Sequence, residues 1–554
     1  MVKSKFFKTS FITLSIGLSV IFNDVVAQTK YWVTFTNKNG TPYTLANPNA
    51  FLTNKAVARR LVYSLPFEQS DLPVSPSYIQ QVAAVPNVTV VYASKWINGL
   101  VVSISNTIAL NTINTFSFVS NAGPVSLYRL NNIDLPEQNN TMVNKAQAVA
   151  TPSPIYGGSW WQAKQLGVEC LHSQGYRGQG MTIAVLDAGF NNVNTNTVFD
   201  SLRNRNGILG TRDFVAGGTS VNEDDQHGSM VLSCLAAIKP NVILGTAPMA
   251  DYWLLRTEDV ATEKIIEEYN WIRGAEFADS VGADILTTSL GYTTFDIPSQ
   301  NHTFADLTGK VSKMSIAATL AARKGMFVLN SAGNGNGGSW PKIGIPADAD
   351  SICTVGAIDS LYNVTGFSSL GPTADGRIKP DLVARGGKSW VSFPNGSCGY
   401  SNGTSFSCPI LAGAVACFWQ AHKPYSFKKV LDTLKHTASF SLTPNNSRGW
   451  GTTNMCLIPP VTFNPVGINE LAKHSDFTVI PNPFTSTIKL SAKNNASEIK
   501  QIQIINVLGS VIKTLNPENN SGDTDINLSE IESGIYFIKI SDSTHSLTKK
   551  IIKE

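Results

Sequence analysis

The stretch "NGTSFSCPILAGAVACFWQAH", residues 402–422, decides how this chain is read. Pro409 has no N–H to bond back to the carbonyl of Ser405, and its ring crowds that carbonyl. A helix running through "FSCPILAGAVACFWQAH" therefore places Ser405 in its first turn. There the backbone N–H and the hydroxyl face the positive end of the helix dipole. Cys408 and Cys417 fall within this apolar helix and read as small buried residues. A serine in such a place is, taken alone, an ordinary helix cap. Its surroundings decide whether it is more.

Working outward, residues 156–455 alternate apolar strands with helices. "MTIAVLD", "ADYWLLR", "ADILTTSLG", "GMFVLNSAGN" and "SICTVGAID" are near-continuous apolar runs, the pattern of parallel strands buried on both faces. Between them Met230, Val231, Cys234, Leu235 and Ile238 keep helical spacing, as do Ile265, Ile266, Tyr269 and Ile272. This predicts an α/β domain built on a mostly parallel sheet flanked by helices.

Ligands and reacting groups of such sheets gather beyond the carboxyl ends of the strands. Asp187 closes one strand, Ser289 and Gly291 close another, and Asn334 follows a third. His227 and Ser405 each open a helix. A serine hydroxyl needs an adjacent imidazole to take its proton. The imidazole needs a buried carboxylate to fix its tautomer. A tetrahedral oxyanion needs donors, which an Asn334 amide and the Ser405 backbone N–H supply. Gly228 and Gly333 let backbone come close to the reacting centre. Singly, each residue has a plainer reading as cap, surface charge or flexible loop. The order Asp187, His227, Asn334, Ser405 points to acyl transfer.

That order also carries a resemblance. "VLDAG" (185–189), "QHGS" (226–229), "SLG" (289–291), "SAGNGNG" (331–337) and "GTSFSCP" (403–409) resemble the signature segments of subtilisin-like serine proteases, the subtilases. "TVGAIDS", "GFSSLGP" and "IKPDLVA" add to it, and the resemblance covers about residues 160–450. The chain order of acid, base and nucleophile is that of subtilisins, not of α/β-hydrolases or the chymotrypsin type. The resemblance implies a serine endopeptidase acting on protein or peptide substrates. It makes Asp187 the orienting acid, His227 the base, Ser405 the nucleophile and Asn334 the oxyanion donor. Ser289, Leu290 and Gly291 with Ser331, Ala332 and Gly333 would wall the pocket for the residue before the cut. The chemistry requires no cofactor or metal; relatives often hold structural calcium, for which no ligand loop here is specific enough to name. Two departures stand out: Ala188 follows the acid where the family usually has a hydroxyl, and "VARGGKS" (383–389) replaces "APG". The sedolisins share "GTS" but use Glu and Asp, which His227 and Asn334 argue against.

Flanking regions complete the reading. At 554 residues the chain should hold about three or four domains. Residues 1–27 carry Lys3, Lys5 and Lys8, a short apolar core and a small residue at Ala27, the pattern of a secretory signal peptide. Residues 28–150 alternate short strand-like runs with loops and one short helix in "SPSYIQQVAAVPN". They resemble the family's propeptide, which occupies the active site and assists folding. After a Pro-bearing linker, 456–471, residues 472–554 read as a small β-sandwich. "VIPNPF", "NVLGS" and "GIYFIKI" resemble type A sorting domains of type IX secretion substrates, which implies export through the periplasm and outer-membrane machinery. Only 15% of residues are charged and the net charge is +4, so nucleic acid is excluded as partner. Seven cysteines leave at least one free thiol, and Cys398 is the candidate for a bridge. The competing functional class is a catalytically silent surface adhesion protein on a protease-like scaffold.

Overall fold

In a computed structural model the five apolar runs of the central region form five strands of a seven-stranded parallel sheet; the strands at 208–213 and 382–385 were not read from the sequence. The structure describes residues 29–125, 153–459, 477–492, 499–506, 510–517, 524–541 and 546–554. The signal-peptide residues 1–27, residues 126–152 and most of the linker 456–471 lie outside the described residues. The chain divides into two units, 1–460 and 461–554.

The N-terminal region is a four-stranded antiparallel sheet, β1 (Thr29–Phe35), β2 (Val88–Ser94), β3 (Gly99–Ile104) and β4 (Val119–Pro124), in the order β2-β3-β1-β4. The helix expected in "SPSYIQQVAAVPN" is α2 (Pro76–Ala83). Two further helices, α1 (Asn54–Val62) and α3 (Ile108–Asn114), escaped the sequence reading. One sheet face packs on Val82, Ala109 and Ile113; Trp32 and Trp96 instead join a core shared with the central domain.

The central sheet comprises β5 (Thr182–Asp187), β6 (Ile208–Asp213), β7 (Asp251–Arg256), β8 (Ile285–Thr288), β9 (Phe327–Ser331), β10 (Cys353–Ile358) and β11 (Leu382–Arg385). Its order is β11-β10-β9-β8-β5-β7-β6, and every pairing is parallel. The chain leaves β5 for β6 and β7 on one side, then crosses to β8 on the other. That reversal opens a crevice at the carboxyl ends of β5 and β8. Helices α4 (His227–Ala236), α5 (Ile266–Ser280), α6 (Lys313–Arg323), α7 (Thr404–Ala421) and α8 (Phe427–His436) flank the sheet. Helix α7 is long and apolar enough to span a membrane, but 94% of it is buried in this core. Phe418 and Trp419 lie wholly inside; truncating either to alanine would cost about 3–5 kcal/mol.

Cys170 and Cys456 form a disulfide across 286 residues, with Cα atoms 5.5 Å apart. This corrects the expectation for Cys398, which is a free, half-buried thiol in a hairpin strand. The bridge is set by the approach of two segments remote in sequence, which local context around a cysteine does not reveal. Cys408 and Cys417 are buried, as read.

The second unit holds two antiparallel sheets. Strands β14 (Phe477–Ile480), β15 (Thr487–Ala492) and β18 (Thr524–Asn527) form one, in the order β14-β15-β18, after the hairpin β12 (Ser389–Ser392) and β13 (Cys398–Ser401) of the first unit. Strands β16 (Gln501–Asn506), β17 (Val511–Leu515), β19 (Gly534–Ser541) and β20 (Ser546–Lys553) form the other, ordered β17-β16-β19-β20. Ile488, Leu490, Ile502, Ile504, Ile538 and Ile540 build their common core.

Candidate active site

Asp187 ends β5, fully buried. Its Oδ1 accepts a bond from His227 Nδ1 at 2.7 Å and from the backbone N–H of Ala188 at 2.9 Å. Its Oδ2 has no partner. The hydroxyl that Ala188 lacks is thus missing from an oxygen left unsatisfied. His227 opens α4, and Asp225 Oδ1 accepts its backbone N–H at 2.7 Å. A Cβ at Gly228 would stand 2.3 Å from the carbonyl oxygen of Gly189 and 2.9 Å from Asp187 Cβ, so only glycine lets α4 approach the acid this closely. Burial pulls the imidazole pKa down, but the Asp187 carboxylate outweighs it, aided by Glu258 and Asp225, and raises it to about 9.

Ser405 is the second residue of α7, where its backbone N–H has no intrahelical acceptor. Ser289 Oγ donates to the carbonyl of Ser405 at 2.8 Å and ties β8 to the helix start. Gly403 N–H bonds the carbonyl of Gly386 at 3.0 Å, so the divergent loop 383–389 buttresses the turn before Ser405. The Ser405 hydroxyl makes no hydrogen bond among the described residues; such bonds tighten when substrate arrives. Asn334 Oδ1 accepts from both the N–H and the hydroxyl of Thr404. Gly333 holds φ +106°, and a Cβ there would meet Ser369 Oγ at 2.9 Å.

His227, Ser405 and Asn334 line one cavity of about 440 Å³, together with Ser289, Leu290, Gly291, Ser331 and Gly333. Ala332 does not: it is buried in the core behind the cavity, its N–H bonded to the carbonyl of Val355. The alternation of a strand end turns its neighbours outward and this residue in. Sequence reasoning missed Asp225, Glu258, Glu263, Trp340 and Lys342, which also line the cavity. For Glu258, Glu263, Trp340 and Lys342 the available signal was a position after β7 or β9; for Asp225 it was its place two residues before His227. A larger open depression near Thr197 and Lys239 carries none of this chemistry. Among the described residues the one cluster close enough to hold a metal is Glu169, Cys170 and Cys456, whose thiols are tied in the disulfide.

A parallel sheet with acid, imidazole and hydroxyl assembled at its switch point defines the subtilisin-like architecture. The subtilase family model matches residues 178–451, and the chain belongs to that family. Residues 30–145 match the peptidase S8 propeptide domain of Bacteroidota, and 478–554 match a secretion-system C-terminal sorting domain. The chain is 30% identical over 280 residues to Subtilisin NAT of Bacillus subtilis subsp. natto and to subtilisin of Bacillus pumilus, half of its own length in each case. The match spans 65% of the former and 90% of the latter. Subtilisin Savinase of Lederbergia lenta is 28% identical over 295 residues, covering 53% of this chain and 96% of that protein.

Proposed function

We propose that the protein is an exported serine endopeptidase made as a zymogen. Asp187 orients His227 through its Nδ1–H and stabilises the imidazolium; His227 Nε2 takes the proton of Ser405 Oγ as that oxygen attacks the scissile carbonyl. The amide of Asn334 and the Ser405 backbone N–H hold the oxyanion. His227 then returns the proton to the leaving amine, and water releases the acyl group by the same steps reversed. The N-terminal domain serves as inhibitor and folding aid, and the C-terminal domain addresses the outer-membrane secretion machinery. The observation that carries this reading is the 2.7 Å Asp187–His227 bond beside a cavity that also takes in Ser405 and Asn334.

Ser405→Ala tests it. A hydroxyl lost at a helix start costs only about 1 kcal/mol, so the variant folds. It should neither hydrolyse protein substrate nor react with a fluorophosphonate probe, both of which the parent does. His227→Ala should be about equally damaging, since base and nucleophile act as one unit. A parent that resists the probe and cleaves nothing would make the protein a silent binding module instead.

A further inference from the structure

The sequence reading left the segment after β7 without a role, yet it forms one wall of the cavity. Thr257 N–H bonds the carbonyl of Asp187 at 3.0 Å, which fixes this segment to the end of β5. Glu258 and Glu263 line the cavity beside Asp225. Among the described residues neither glutamate side chain makes an ion pair or a hydrogen bond. Behind them stands Glu267 in the first turn of α5, 1% exposed, with no cationic side chain paired to it and neither carboxylate oxygen in a hydrogen bond of ordinary geometry. Its carboxylate lies against the backbone N–H of Asp259 and within electrostatic reach of Glu263 and Glu258. Besides the His227 imidazole, which is held by Asp187, the cationic side chain among the described residues of the cavity wall is Lys342, and it directs its ammonium to the carbonyl of Gly371 at 3.4 Å and over the ring of Phe304.

Half-buried carboxylates without a counter-ion are costly, and the cost shows. Burial, with repulsion from Asp187 and Glu263, pushes Glu258 up to about 8; burial and Asp296 push Glu263 up to about 7. Val260, on the same wall, is 58% exposed. An apolar surface next to unpaired carboxylates fits a side chain with an aliphatic stem and a cationic head.

Building on the proposed peptidase activity, we propose that Glu258 and Glu263, backed by Glu267, form a subsite for a lysine or arginine side chain of the peptide substrate. The subsite lies on the β7 side of His227, across the cleft from the pocket between residues 289–291 and 331–333. Specificity then has two parts: one pocket for the residue before the cut, and a separate charge-selective wall. The substrate's cation supplies the partner that the fold withholds from these carboxylates.

The test uses processed, secreted enzyme and fluorogenic peptides in which each position, from four before the cut to three after it, carries Arg, Gln or Glu in turn. At one position Arg should raise kcat/KM about 10- to 100-fold over Gln, the range of a close interfacial charge pair. In Glu258→Gln/Glu263→Gln the Arg-to-Gln ratio should collapse to within about 2-fold. Glu263→Arg should turn the preference toward Glu. Equal rates at every position, or an Arg preference that survives the double variant, would overturn the subsite while leaving the peptidase reading intact. Titration with calcium chloride that shows a bound ion lost in the double variant, without Arg preference, would make the cluster a metal site and overturn it too. Failure to cleave any peptide or to react with a fluorophosphonate would instead bring down the peptidase reading, and the subsite with it.

Discussion

Thr404 holds Asn334 by two bonds to a single atom: its N–H and its hydroxyl donate to Asn334 Oδ1 at 2.8 and 2.9 Å. Two donors on one atom identify it as the oxygen of the amide. Thr404 Oγ1 in turn accepts the N–H of Gly333 at 3.2 Å. A relay Gly333–Thr404–Asn334 thus anchors the acceptor end of the amide and leaves Nδ2 for the cavity. On the proposed mechanism this anchoring presents Nδ2 to the oxyanion before any substrate arrives.

Asn334→Leu should therefore lower kcat while KM barely moves, because an oxyanion donor acts chiefly in the transition state. The expected loss is about 10²–10³ in kcat, a range set by subtilisin itself and so a family expectation. Thr404→Val keeps shape but removes one of the two anchors, and should cost about 2- to 10-fold. Steady-state kinetics with active-site titration check both. A normal kcat in Asn334→Leu, with raised KM, would reduce Asn334 to a loop-shaping residue.

The imidazole of His227 must be neutral to act as base. Asp187, with Glu258 and Asp225, holds it protonated up to about 9 against the opposing effect of burial, so kcat/KM should climb into the alkaline range. The stability sign is opposite. A histidine raised above its ordinary 6.5 contributes fully below that value and loses the contribution as pH rises through about 9. Its side chain is 31% exposed, so solvent and salt weaken the pair. Glu258→Gln removes a negative neighbour and should move the acid limb of the pH–rate profile to lower pH. An acid limb near 6.5, or one that Glu258→Gln leaves in place, would contradict this account of the site's field.

The parallel strands were legible because burial on both faces writes itself as a continuous apolar run, as in "TIAVLD". Ser405 at a helix start was legible because Pro409 permits little else. Asp187 and His227 gained their roles from motif order, and the 2.7 Å bond joins them across 40 residues. Nothing in "GTS" announces the grip of Thr404 on Asn334, 70 residues away, which depends on how two loops meet. The same holds for Cys170–Cys456 and for the acidic wall, whose members look like surface charges until the chain folds around them. Helix α1 was missed because "NKAVARRLV" inverts the usual pattern: Leu61 and Val62 are exposed, while Arg59 and Arg60 are buried against carboxylates of their own domain and of the catalytic domain.

Those arginines give the last prediction. Arg60, wholly buried, donates to Asp71 at 2.7 Å and to Asp279 at 3.0 Å on α5. Arg59 also reaches Asp279, and bonds the carbonyl of Lys324 at 3.1 Å. Lys95 stands 3.7 Å from Asp279, and Lys324 pairs with Asp71 at 2.7 Å. The network joins the propeptide domain to α5 and α6 of the catalytic domain. A buried ion pair roughly breaks even against apolar packing, so its intact value is small. Removing its centre is another matter: Asp279→Ala takes the counter-ion from Arg59 and Lys95 and leaves Arg60 to Asp71 alone, at about 3–5 kcal/mol. The propeptide should then bind the processed enzyme more than about 100-fold more weakly. Acid should not mimic this. Burial opposes ionisation of Asp279, but Lys95, Arg60 and Arg59 hold it at about 2; a depressed carboxyl contributes above its ordinary 3.8 and fails only as pH falls through the lowered value. Diluting the processed complex at pH 8 or pH 4, then returning samples to pH 8 to read the peptidase activity recovered, measures both statements. Unchanged propeptide affinity in Asp279→Ala would leave the apolar contacts of Trp32 and Trp96, and the bonds from Lys95 and Trp96 N–H to Glu276 at 3.1 and 3.0 Å, as what holds the domains together.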